Sequence, residues 1–163
     1  MDASMNTLRK YLNLDRAISR KMDVRECIED SLALLSGSLK GHITVIKELW
    51  PVPKLECYPR ELNRALTSLL NSSIEGIKSS GEIRISTAPQ NGWVLIKVAD
   101  TAETDLSVEA IQRCSDVAKM HHGQMTSKKH ATQGNEITFR LPVLEPAPAS
   151  RREKLGGRSS TVQ

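Results

Sequence analysis

The sequence predicts an α+β domain, a two-layer sandwich with helices on one face of a mixed, mainly antiparallel sheet. Three observations predict it. Stretches of helical and strand period follow one another in the order helix, helix, strand, helix, strand, strand, helix, strand, strand, which segregates helices from strands. Asn91-Gly92 stands between two alternating apolar runs and marks a hairpin. Ile137, Phe139 and Leu141 alternate in a closing run and mark the inner face of a last strand.

The elements follow in order. Leu8, Tyr11, Leu12, Ala17, Ile18 and Met22 recur at helical spacing among basic and acidic residues, so residues 1–22 read as an amphipathic helix suited to pairing with the body or with a second copy. Asp23 and Glu26 have capping-box spacing, and Val24, Ile28, Leu32, Leu35 and Leu39 trace one face of a second helix ending at Gly41. Residues 42–49 are rich in β-branched side chains and stop at Pro51 and Pro53, giving a strand and a loop. Pro59 suits a first helical turn, and Leu62, Leu66, Leu69, Ser73 and Ile77 continue a buried stripe up to Ser79-Ser80-Gly81. Ile83, Ile85 and Thr87 form the first hairpin arm and residues 93–99 the second. Ser107 can cap a helix carrying Val108, Ile111, Cys114, Val117 and Ala118, and residues 124–128 and 136–141 form a strand pair around Gly134. The body therefore spans 23–142. Residues 143–163 are Pro, Ala, Ser and charge, a composition expected of a disordered basic tail.

Composition narrows the function. Of the net charge of +4, residues 151–163 carry most, with Arg151, Arg152, Lys154 and Arg158 against Glu153. A nearly neutral body argues against a nucleic-acid surface. Five aromatic residues in 163 require an aliphatic core. Cys27, Cys57 and Cys114 are odd in number and widely spaced, so they predict neither disulfides nor zinc and suit a reducing compartment. No apolar run approaches the ~20 residues of a membrane span and no signal peptide opens the chain, so the expectation is a cytoplasmic protein.

The run ELNRALTSLLNSSIEGI at 61–77 resembles the asparagine-bearing helix of the histidine kinase and Hsp90-like ATPase superfamily, with Leu62, Arg64, Leu66, Leu69 and Leu70 matching in place or kind. Its two asparagine positions fall on Ser68 and Ser72. The strand ending in Asp100 resembles that family's strand before D-x-G-x-G, His121-His122-Gly123 its H-G-G ending, and residues 134–142 its final strand. The resemblance covers about 23–142. It implies a Bergerat-type ATPase fold, the catalytic ATP-binding domain of a two-component sensor kinase, with Asp100 as adenine acceptor and Ser72 and Ser68 where the metal and phosphates are met. Implied partners are a response regulator or another histidine kinase, with a homodimer through residues 1–22.

The departures from that pattern have physical consequences. Serine offers a short hydroxyl where the family's asparagine offers a carbonyl to magnesium, and Asn71, one residue away, is turned by ~100°. Four glycine positions hold Ala102, Thr104, Val108 and Ala110, whose side chains crowd a ligand. Only residues 101–106 separate Asp100 from Ser107, where the family has a much longer lid over ATP. A micromolar site is worth ~8 kcal/mol and each lost contact ~1–2 kcal/mol, so three or four losses predict millimolar binding or worse.

No histidine is followed by an acidic residue as a phosphoacceptor would be, Glu61 and Glu75 read as solvated helical carboxylates, and His121-His122 reads as no metal site. The expectation is a degenerate, pseudokinase-like ATPase domain that acts as a protein-interaction module in two-component signalling, with no catalytic residue, no bound metal and no cofactor. The alternative is a divergent domain that still binds Mg-ATP through Asp100, Ser68 and Ser72 and phosphorylates a histidine on a partner chain.

Overall fold

The computed structural model describes residues 18–39, 41–130 and 132–143. Strand β1 (Arg20–Met22) leads into helix α1 (Val24–Leu34) and a 3-10 turn (Ser36–Ser38), followed by β2 (Ile43–Leu49) and β3 (Leu55–Cys57). Helix α2 (Pro59–Gly76), β4 (Gly81–Gln90), β5 (Trp93–Asp100), α3 (Val108–Met120), β6 (Gln124–Lys129) and β7 (Asn135–Pro142) complete the chain. Five strands form one sheet in the order β2-β4-β5-β7-β6, with β2 and β4 parallel and the other pairs antiparallel. The predicted α+β sandwich with a mixed, mainly antiparallel sheet is the observed architecture.

Local chemistry explains the elements. Asp23 caps α1 by accepting from the Arg25 N–H, and its carboxylate also holds the Arg25 guanidinium at 2.6 Å. Ser107 caps α3 by accepting from Ala110 N–H. Asn91 and Gly92 take φ of 42° and 84°, the pair of left-handed residues that a two-residue hairpin needs to match strand twist.

Helix α2 lies between α1 and α3 on one face of the sheet. Its Leu62, Leu66 and Leu69 are buried with Ile83 and Ile85 of β4, Val94, Ile96 and Val98 of β5, and Ile137, Phe139 and Leu141 of β7. That single apolar cluster accounts for most of the stabilising burial. Phe139 is the one aromatic side chain among its buried residues. Cys27, Cys57 and Cys114 are free thiols within it.

The structure corrects the sequence reading in four places. Residues 20–22, read as the end of an amphipathic helix, are a strand paired antiparallel with Leu55–Cys57. The rest of that expected helix, residues 1–17, lies outside the described residues, as does the tail beyond 143. The second helix stops at Leu34, not near Gly41, because the chain tightens into the 3-10 turn. Leu55–Cys57, read as loop, is strand β3. Val108, grouped by helical spacing with Ile111, Cys114, Val117 and Ala118, is 84% exposed. No described helix is long and apolar enough to cross a membrane.

Candidate functional site

Asp100 ends β5 on the face covered by helices, beneath the last turns of α2, and is 5% exposed. Its Oδ2 accepts a hydrogen bond from the Ser73 hydroxyl at 2.6 Å. Its Oδ1 accepts three: from Ala102 N–H at 3.0 Å, from Asn135 N–H at 2.9 Å and from the Asn135 side-chain amide at 3.1 Å. The same amide also donates to the Thr104 carbonyl at 3.1 Å. A buried carboxylate is stable only with its lone pairs engaged, and here the chain itself supplies the donors.

Residues 101–107, which join β5 to α3, are tied down nearly residue by residue. Thr101 accepts from Glu82 N–H and donates its own N–H to the Glu82 carbonyl. Glu103 donates its N–H to the Gly76 carbonyl, and its carboxylate accepts from Lys78 N–H and the Ser79 hydroxyl, which holds it below its ordinary range. Asp105 pairs with Lys129. Ser107 N–H donates to the Ser72 hydroxyl at 2.8 Å. Ala102 and Leu106 enter the core at 2% and 6% exposure. Close packing seals the seam. A Cβ at Gly76 would stand 2.8 Å from Thr104 Oγ1 and 2.9 Å from Ala102 Cβ, and one at Gly134 would stand 2.5 Å from the Asp100 carbonyl oxygen. Gly134 also has φ of 116°, a conformation that favours glycine.

The three residues singled out by sequence are therefore treated differently. Asp100 is buried against Ser73 and Asn135, not against Ser68 or Ser72. Ser72 faces the start of α3 through Ser107. Ser68 is half-buried and lines an open groove of about 760 Å³ with Asn63, Thr67 and Asn71 along α2. Asn71 is exposed and donates to Glu75 of its own helix, as the ~100° rotation from Ser72 requires.

Sequence reasoning missed Ser73 and Asn135 as partners of Asp100. Ser73 was visible as the one hydroxyl in the apolar stripe of α2, a polar residue that needs a buried partner. Asn135 carried no such signal.

The His121-His122 pair also resolves. His121 is 4% exposed, its Nε2 accepts from Tyr58 N–H at 2.9 Å, and its Nδ1–H donates to the Val117 carbonyl at 2.8 Å. Because one ring nitrogen must accept, the ring is neutral and the proton sits on Nδ1. Burial holds its pKa below the ordinary histidine value, with the Val117 carbonyl acting in the opposite sense. His121 thus ties the start of α2 to the end of α3. His122 is exposed at φ 61°. Among the described residues no three of His, Cys, Asp and Glu gather to hold a metal.

The fold is shared with known structures. No protein family model matches the sequence, and no curated protein matches it. Solved structures do match. The catalytic domain of histidine kinase ThkA, in a nucleotide-free form, superposes with a TM-score of 0.67 at 15% identity, covering 77% of this chain and 97% of that one. The Acinetobacter baumannii histidine kinase AdeS gives 0.67 at 14% identity, covering 86% and 76%. The mycobacterial sensor histidine kinase MprB gives 0.64 at 15% identity, covering 77% and 97%. The chain has the fold of histidine kinase catalytic domains, and the expectation of that architecture is borne out.

Proposed function

We propose that this chain is a histidine-kinase-like ATPase domain kept as a protein-interaction module in two-component signalling, with weak or no ATP binding. The observation that carries the reading is the internal use of the site. The Asp100 carboxylate, which in this fold would accept from adenine, receives four hydrogen bonds from Ser73, Ala102 and Asn135, and the Ser72 hydroxyl receives Ser107 N–H.

Mg-ATP is the cofactor this fold implies, and the residues present do not fit it. A purine amino group aimed at Asp100 Oδ1 would have to displace main-chain donors at ~1–3 kcal/mol for each buried N–H, and one aimed at Oδ2 meets the Ser73 hydroxyl already bonded there. Magnesium prefers several oxygen ligands in a near-octahedral shell, and Ser72 brings one hydroxyl already engaged. Residues 101–107 occupy the seam against Gly76 where a mobile lid would need to open.

The partners that suit such a module are a response regulator or a second histidine kinase. Pairing of two copies through the N-terminal residues is part of the same proposal. It is tested by cross-linking the full chain and a chain lacking residues 1–17, which spares β1; identical behaviour would remove the pairing role.

A thermal melt with and without nucleotide tests the main reading. A micromolar site at 1 mM Mg-ATP would contribute about 4 kcal/mol, a rise of roughly 10 °C for a domain of this size. The expected shift is under about 1 °C; a rise of several degrees would sink the interaction-module reading and favour a divergent, ATP-binding kinase domain.

A further inference from the structure

The groove along α2 is the place where chemistry remains uncommitted. It runs between the end of α1 and the start of α3, and its volume of about 760 Å³ lies in the range of built binding clefts. Arg60 and Arg64, one turn apart on α2, and Arg113 of α3 present three guanidinium groups along it, against the single carboxylate of Glu109. Arg113 pairs with Glu109 at 3.3 Å, while Arg60 and Arg64 enter no ion pair among the described residues. Of the two most exposed large apolar side chains of those residues, one lines the groove and the other stands next in sequence to a lining residue. Leu34, 72% exposed, ends α1, and Val108, 84% exposed, begins α3 beside Glu109.

We infer that this groove is a docking site for an acidic amphipathic helix of a partner protein, a surface that rests on the interaction-module reading above. Charge complementarity sets the sign of the occupant, because two unpaired guanidinium groups match carboxylates. The apolar end of the groove sets its second property: covering exposed Leu34, beside Leu35, needs apolar side chains next to the acidic ones, the pattern of a helix laid in a groove. From Arg60 to Asn71 the groove follows about three turns of α2, ~16 Å, enough for three turns of a partner helix. A polyphosphate or nucleic acid fits less well. Neither brings the apolar side chains that would cover Leu34.

The test uses the full chain and a fluorescein-labelled synthetic helix of three heptads, with leucine on one face and glutamate on the rest; its counterpart has lysine in place of glutamate. Fluorescence anisotropy is read at low and at physiological salt. The expected result is saturable binding of the glutamate peptide, weakened by salt and at least about tenfold weaker for the Arg60→Glu/Arg64→Glu variant and for the lysine peptide. Leu34→Ser should weaken it several-fold. Should charge reversal unfold α2, Arg60→Gln/Arg64→Gln removes the charge with the fold kept, and the same loss is expected. Equal binding by the arginine variants, no saturation below about 1 mM peptide, or displacement by Mg-ATP overturns the assignment. Failure of the peptide with no Mg-ATP melting shift removes this surface alone, whereas a Mg-ATP shift with displacement removes the module reading as well.

Discussion

Replacing Asp100 by alanine separates a structural carboxylate from one held ready for a ligand. The change strips the acceptor from four donors at once: Ala102 N–H, Asn135 N–H, the Asn135 side-chain amide and the Ser73 hydroxyl. At 5% exposure little water can replace it. The two main-chain groups lose ~1–3 kcal/mol each, and the two side chains, which can turn toward other partners, about 1 kcal/mol together. A total of about 3–7 kcal/mol follows, a large share of the 5–15 kcal/mol typical of a domain. Urea denaturation monitored by circular dichroism should show the midpoint falling by roughly 2 M at a typical slope. Asp100→Asn keeps one acceptor oxygen and lets the Ser73 hydroxyl turn to accept, so about 1–2 kcal/mol is expected. A ligand-binding aspartate would behave in the opposite way, since such residues are commonly neutral or costly to stability. An Asp100→Ala protein within about 0.5 kcal/mol of the parent would refute the reasoning.

Other consequences follow from the same contacts. His121 is neutral in the fold with a lowered pKa, so between that value and the unfolded 6.5 the unfolded chain binds more protons. Stability is therefore complete above about pH 7 and falls as pH drops through 6.5 toward the lowered value; denaturation midpoints across pH 5–8 should show this slope, and His121→Asn should flatten it. Gly76→Ala, which usually strengthens a helix, should here destabilise by ~1–3 kcal/mol because its Cβ meets Thr104 and Ala102; a raised melting temperature would contradict the sealed seam. Burial pushes the Cys114 thiol up to about 12, and the neighbouring Cys27 thiol together with burial raises Cys57. A thiol-reactive chromophore should consequently label none of the three cysteines in minutes in the native state and all three in urea.

The parts of the fold that were legible in sequence are those set by local periodicity. The stripe of Leu62, Leu66 and Leu69, the Asn91-Gly92 turn and the alternation of Ile137, Phe139 and Leu141 each follow from one element's own geometry. Strands β1 and β3 have three residues each, too few for a period, and their pairing of Arg20–Met22 with Leu55–Cys57 spans a separation that sequence spacing does not encode. Ile18 and Met22 sit four apart and imitate a helical face.

The site was legible in part. Ala102, Thr104 and the short 101–106 connection were visible in the sequence, but their packing was not. Ala102 turns into the core and Glu103 binds the end of α2, so the segment fills the seam instead of merely crowding it. Serine at 72 reads as a lost metal ligand, and only the structure brings Ser107 N–H onto its hydroxyl. Val108 has the helical spacing of Ile111, Cys114, Val117 and Ala118, yet at the first turn of α3 it faces solvent.

The central claim is that the Asp100 carboxylate is committed to this chain's own donors. Amide resonances of Ala102 and Asn135, whose protons point at Oδ1, report on it directly in a nitrogen-15-labelled protein titrated with Mg-ATP. The account predicts that both stay unmoved to about 1 mM nucleotide. Saturable shifts of either amide at lower concentration would mean that nucleotide reaches the carboxylate, and would contradict it.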